Sequence, residues 1–171
     1  MTDIWFTSDT HFMHENIIQY CGRPFKDAEF MDEFLIGQWN MLIKPQDKVY
    51  HLGDVACGFG GDDRKLGNLL RRLNGHKRLN PGNHDNLKSV ALQTHFEKIE
   101  YWSGQGQWPF FTHHVPLNRK SFRGKDVVAQ VHGHTHNNFM EESYYINVCV
   151  DVTNFRPMHL DEILDEVKKI K

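Results

Sequence analysis

The chain has 171 residues, 39% hydrophobic and 25% charged, which suits one ordinary domain (1–171) and excludes disordered and collagen-like classes. A net charge of −2 with neutral histidines excludes a protein built mainly to coat nucleic acid, and no stable nucleic-acid partner is expected. Three scattered cysteines, Cys21, Cys57 and Cys149, with no CxxC pair, exclude a disulfide framework and a structural zinc site; 12 histidines make imidazole the conspicuous chemistry.

In chain order, Ile4-Trp5-Phe6 is an apolar run meeting polar residues at Ser8, the pattern of a buried strand entering a loop. Asn16 to Tyr20 and Asp27 to Ile43 carry helical apolar spacing, and Pro45 closes the second. Lys48 to Leu52 predicts a strand ending at Gly53-Asp54. Asp62 and Asp63 then suit the start of a helix through Leu66, Leu69, Leu70 and Leu73. His76 to Leu79 predicts a strand broken by Asn80-Pro81-Gly82. Further strands are expected over Lys98 to Trp102, Trp108 to Thr112, Val127 to His132 and Tyr145 to Val150. Leu160, Ile163, Leu164, Val167 and Ile170 define a final helix, with acids first and lysines last to match its dipole. Strand–helix alternation followed by strands predicts a mixed α/β domain with its site on loops at strand ends. No apolar stretch reaches membrane-spanning length, and Asp3 and Asp9 interrupt any signal-peptide core. A cytoplasmic protein without a membrane partner is expected; its oligomeric state is open.

Five polar motifs each follow an apolar run: Asp9-Thr10-His11, Gly53-Asp54, Gly82-Asn83-His84-Asp85, His113-His114-Val115-Pro116 and Gly133-His134-Thr135-His136. Their imidazoles, carboxylates and amide are the donors of a mixed nitrogen/oxygen metal site. In an extended backbone, residues two apart point the same way, so Asp9 can converge with His11, and His134 with His136. The neighbours Asn83 and His84 diverge, which lets one face metal and the other substrate. Alone, each motif has a bland reading: Asp-x-His is a common chance pair, Gly-Asp a common turn, and paired histidines usually include one that only packs. All five in this order leave chance a poor explanation.

The order resembles the calcineurin-like metallophosphoesterase family, and the stretch Asp9 to Ile18 resembles its small phage and bacterial members. The resemblance implies an α/β fold of two mixed β-sheets packed face to face with flanking helices, a four-layer α/β/β/α sandwich. It implies two divalent metal ions, manganese foremost, with iron, zinc or nickel as alternatives. One ion would be held by Asp9, His11, Asp54 and His136, the other by Asp54, Asn83, His134 and His114, with His113 as the runner-up for the last. The implied reaction is attack on a phosphate ester by a hydroxide shared between the ions. His84 would contact phosphate and protonate the leaving group, with Asp85 orienting its ring.

Arg23, Arg119 and Arg123, the last two in a basic stretch with Lys120 and Lys125, are candidates to hold an anionic substrate, a nucleotide among the possibilities. The short segments between the third and fifth motifs leave no room for a cap domain. An open cleft accepts a phosphate substituted on both sides, so a phosphodiesterase is favoured over a phosphomonoesterase or protein phosphatase. A non-catalytic scaffold on the same fold is the rival from another class, disfavoured because His84 and every ligand position are present. His14, His51, His76, His95, His132 and His159 read as surface or packing histidines, although His14 is near enough to Asp9 to line the site. Cys57 reads as a small buried filler, and Gly58-Phe59-Gly60-Gly61 as a flexible connection.

Overall fold

A computed structural model describes residues 2–57, 62–104, 107–121, 127–138 and 140–170. The elements are β1 (Ile4–Thr7), α1 (Glu15–Cys21), α2 (Ala28–Leu42), β2 (Lys48–His51), α3 (Asp63–Leu70), β3 (His76–Leu79), α4 (Val90–His95) and β4 (Lys98–Ile99). There follow β5 (Phe110–His113), a 3₁₀ turn (Arg119–Ser121), β6 (Ala129–His132), β7 (Tyr145–Asn147), β8 (Met158–His159) and α5 (Leu160–Lys169). The expected connection over 58–61, and Arg123 and Lys125 of the basic stretch, lie outside the described residues.

The strands form two sheets, one ordered β4-β3-β2-β1-β8 and one ordered β5-β6-β7. Strands β1 to β4 are mutually parallel and β8 runs antiparallel to β1, so the larger sheet is mixed. The described strands of the smaller sheet are all parallel. Side-chain alternation splits the core in two. Phe6, Tyr50 and Leu52 face the smaller sheet and meet Phe110, Ala129, Val131, Ile146 and Val148, and α5 adds Ile163 to the same cluster. Val49 and Leu79 face the other way, into Met31, Leu35, Trp39, Leu66, Leu70 and Leu92 of the helices.

Capping explains where the helices begin. Asp27 accepts the Phe30 N–H at 2.7 Å, and Asp62 accepts from Arg64 and Lys65, each satisfying donors that the first helical turn leaves free. At α5, His159 and Glu162 form a reciprocal capping box. Two elements besides the two-residue β8 depart from sequence expectation. The strand expected over Lys98 to Trp102 keeps only Lys98–Ile99. Helix α4, whose Ser89 cap accepts the Leu92 N–H at 3.2 Å, is too short to show periodicity. Parallel pairing places the ends of β1, β2 and β3 on one edge of the larger sheet, where ligands bind in open α/β sheets.

Candidate metal centre

The ligand candidates sit on loops just beyond β1, β2, β3, β5 and β6, but their backbone is not extended. Asp9, His11, Asp54, His134 and His136 all have positive φ, at 55°, 48°, 55°, 70° and 50°. Convergence of Asp9 with His11 therefore comes from left-handed turns rather than strand alternation, and His134 and His136, expected to converge, join different groups of potential ligands. Such a conformation costs an L-residue about 1–2 kcal/mol, so the surroundings must impose it. They do so by lacing the first two loops together: the Asp9 N–H donates to the Gly53 carbonyl at 3.0 Å, His11 to Asp54 at 3.1 Å, and Phe12 to Val55 at 2.9 Å. Glycines make that approach possible. A side chain at Gly53 would come within 2.7 Å of His114 Nδ1, and one at Gly82 within 2.6 Å of the Asp54 nitrogen.

Asp9 shows what the loops are built to hold. Its Oδ2 is saturated, accepting from Ser8 Oγ, from the His134 N–H at 2.9 Å and from Cys149 Sγ at 2.9 Å. Its Oδ1 is buried without a hydrogen-bond partner, as is His11 Nε2. That Oδ1 lies 3.9 Å from His11 Nε2 and 3.8 Å from His136 Nε2. Buried orphan acceptors are costly unless something completes them. Donors bonded to one cation at about 2.0–2.2 Å stand roughly 3–4 Å apart, so these atoms fit a metal ion.

Asp54 stands between this group and a second one. Its Oδ1 accepts the His84 N–H at 2.9 Å. Its Oδ2 lies 3.6 Å from His11 Nε2 on one side and 3.5 Å from His114 Nε2 on the other. Asn83 Oδ1 is 3.2 Å from the same His114 nitrogen, and the His134 ring centroid is 5.0 Å from that of His114. Thus Asp9, His11 and His136 form one potential cation group and Asp54, His114 and His134 another. His113 points elsewhere, its Nδ1 2.9 Å from the Val115 carbonyl.

The imidazoles are fixed through their far nitrogens, which leaves Nε2 facing the centre. His114 Nδ1 donates to the Leu52 carbonyl at 2.7 Å, and His136 Nδ1 donates to Asp151 Oδ2 at 2.8 Å. Burial pushes the His11 pKa down to about 3, helped by His136, Arg23 and His14 and opposed by Asp54, which leaves the ring neutral and able to offer a lone pair to a cation. Burial also lowers His114 and His136, but hydrogen bonds to Asp54 and Asp151 outweigh it and leave both raised. Burial alone would raise Asp54; the hydrogen bond and charge of His114, with the His84 N–H, drive it below the usual carboxylate range.

Two sequence expectations change here. Asp85 does not orient the His84 ring, because its carboxylate accepts the backbone N–H groups of Gly82, Asp54 and Val55, each at 2.9 Å. It clamps the third loop to the second, and burial raises its pKa to about 6. Arg23 is not a phosphate clamp. It is 4% exposed, with Nε and Nη2 on Asp151 at 2.8 and 3.0 Å, Nη1 on the Thr10 carbonyl at 3.0 Å and Nη2 on the Asp9 carbonyl at 2.8 Å. Arg119 lies with its guanidinium carbon 5.1 Å from the centroid of the Tyr144 ring.

The Arg23–Asp151 pair therefore ties the first ligand loop to the last, through His136. Asp151 escaped sequence reasoning because nothing local marks it. His14 had only its nearness to Asp9 as a signal; its Nδ1 lies 3.2 Å from His11 Nδ1. His84 is exposed, its ring centroid 5.5 Å from that of His11 and its Nδ1 3.8 Å from Cys57 Sγ.

An α/β fold that gathers carboxylates and imidazoles on loops at its strand ends has the build of a metal-dependent hydrolase. More narrowly, residues 2–114 match the model for the calcineurin-like phosphoesterases, and the chain belongs to that family of metal-dependent phosphoesterases. An uncharacterized protein of Methanocaldococcus jannaschii is 35% identical over 178 residues, covering 100% of this chain and 94% of its own. The gene 66 protein of Mycobacterium phage L5 is 33% identical over 103 residues, 60% of this chain and 49% of its own. The crystal structure of a protein of unknown function from Aquifex aeolicus superposes with a TM-score of 0.73 at 26% identity, covering 96% of this chain and 99% of the other. No helix among the described residues is long and apolar enough to cross a membrane.

Proposed function

We propose that the protein is a phosphodiesterase working with two divalent metal ions, manganese foremost, that share Asp54. The observation that carries this reading is the placement of Asp54 Oδ2, 3.6 Å from His11 Nε2 and 3.5 Å from His114 Nε2. Asp9, His11, Asp54 and His136 would hold one ion; Asp54, Asn83, His114 and His134 would hold the other. A bound metal pair supplies a water of lowered pKa and positive charge for the phosphate oxygens.

The chain's own residues do the rest. Asp85 holds the Gly82–Asp85 loop on the Asp54 loop, so the donors on both keep their spacing. Arg23 and Asp151 hold His136 against Asp9. The exposed His84, anchored to Asp54 through its backbone N–H, presents its ring to solvent, where it would contact the phosphate and give a proton to the leaving oxygen. General acid help of that kind is worth about 10²- to 10⁴-fold.

Preference for a diester follows from charge and shape. A diester carries one negative charge at the reacting phosphate, and a monoester dianion needs more neutralisation. Arg23, the nearest sequence candidate to supply it, is spent on Asp151 and two carbonyls. Asn83, His84 and His134 are exposed, which suits an open cleft that tolerates substituents on both sides of the phosphate. The test is kcat/KM for bis(p-nitrophenyl) phosphate against p-nitrophenyl phosphate at the same Mn²⁺ concentration and pH. Diester preference is the expected result; a clear monoester preference would overturn the diesterase reading and leave the two-ion reading standing.

A further inference from the structure

All three cysteines of the chain lie against the candidate centre. Cys149 is buried and donates to Asp9 Oδ2. Cys21 shares a potential cation group with His136 and Asp151, but Asp151 is already committed to Arg23 and to His136 Nδ1. Cys57 differs. Its Sγ groups with His11 and His14, ligand atoms all within 4.8 Å of one another, and also lies 3.8 Å from His84 Nδ1.

The donor set has the chemistry of a separate site. A thiolate and imidazoles prefer soft or borderline cations such as zinc, whereas carboxylate and amide oxygens suit manganese or magnesium. Around zinc, with Zn–S about 2.3 Å and Zn–N about 2.0–2.1 Å in a tetrahedron, sulfur and nitrogen ligands stand roughly 3.5–3.6 Å apart. Cys57 Sγ and His84 Nδ1 are within a few tenths of an ångström of that spacing. His14 is half-buried, its Nδ1 3.2 Å from His11 Nδ1, and the proposed binuclear centre does not use it as a ligand. His11 directs Nε2 at Asp54, so it serves this second cluster as a wall.

We infer that Cys57, His14 and His84 Nδ1 form a third cation site, selective for thiophilic ions such as zinc or cadmium, and that its occupation inhibits the enzyme. Inhibition follows from what the ion displaces. A metal on Nδ1 takes up the ring that would otherwise contact the phosphate. It also draws the exposed ring towards Cys57, away from a phosphate on the ions. The inhibitory half of the inference rests on the role proposed for His84; the binding half does not.

The experiment adds Cd²⁺ to protein already carrying Mn²⁺. Near-ultraviolet absorption follows cadmium–thiolate charge transfer, and electron paramagnetic resonance follows any release of Mn²⁺. The expected result is a thiolate band saturating at one added ion per chain, without Mn²⁺ release, while diester hydrolysis falls in parallel. Cys57→Ser should abolish the band, keep basal Mn²⁺ activity, and raise the inhibitory Cd²⁺ concentration at least about 10-fold, since losing even an outer-shell partner costs a metal site that much. Cys21→Ser should leave band and inhibition intact. No band in the wild type, a band surviving in Cys57→Ser, or one lost in Cys21→Ser would each overturn the site. A Cys57-dependent band in a protein that hydrolyses no diester would uphold the site while defeating the proposed activity.

Discussion

The two halves of the centre are held differently. On the Asp9 side, Asp9 and His11 are buried, Asp9 Oδ2 is saturated by three donors, and His136 is backed by Asp151 and Arg23. On the far side, His114 is buried and fixed by the Leu52 carbonyl, but Asn83 and His134 are exposed, with His84 beside them. The first half is prebuilt from within; the second opens to solvent, where a substrate can arrive. Buried donors whose geometry is set by other side chains suit an ion that stays, and exposed ones suit an ion that shares its shell with substrate. The contrast can be broken at several points.

The largest effect belongs to the open half. His84→Ala should retain two ions yet lose about 10²- to 10⁴-fold in kcat, with a smaller loss for a leaving group that needs no proton. Metal analysis of the purified variant checks this, and shedding of an ion would make His84 a ligand.

Asp151 probes the buried half. Asp151→Asn should weaken the Asp9-side ion about 10–100-fold in chelator competition and leave the other ion nearly unchanged. Because Arg23 would lose its buried partner, the metal-free protein should also lose about 3–5 kcal/mol in urea unfolding. Equal weakening of both ions would erase the distinction between the halves.

A subtler prediction concerns pH. Asp32, 8% exposed, accepts the Met13 N–H at 3.0 and 3.1 Å, and burial raises its pKa from 3.8 to about 7. A carboxyl whose folded pKa exceeds its unfolded value makes the folded state bind more protons between those limits, so stability falls as pH rises from about 4 to 7. The full shift corresponds to about 4 kcal/mol at complete ionisation. Asp32→Asn, which keeps an acceptor for Met13, should flatten the stability profile of the metal-free protein between about pH 4 and 7. An unchanged slope would remove Asp32 from the account.

Much of the candidate centre was legible because its residues sit directly after apolar runs, and a strand followed by a polar motif is a local signal. That signal marked the motifs, and the family resemblance picked Asp9, His11, Asp54, Asn83, His114, His134 and His136 out of them as candidates. What supports them was not legible. Asp151 is far along the chain from Arg23, and Cys149 from Asp9; only folding brings them together. Arg23 looked like a free cation because sequence does not reveal burial, and Asp85 looked like a partner of its neighbour His84 because the amides it accepts come from another loop. Left-handed turns at five ligand positions were hidden for a related reason, since none of the five is a glycine. Among the elements, β8 has two residues and α4 has six and follows a turn, both too short for periodicity to mark.

Anomalous diffraction from crystals loaded with Mn²⁺ tests the central claim most directly. Two peaks are expected, one among Asp9, His11 and His136 and one among Asn83, His114 and His134, with the Asp54 carboxylate coordinating both. In crystals of Asp54→Asn both peaks should weaken together. A single peak in the wild-type protein, or two peaks of which only one touches Asp54, would contradict it.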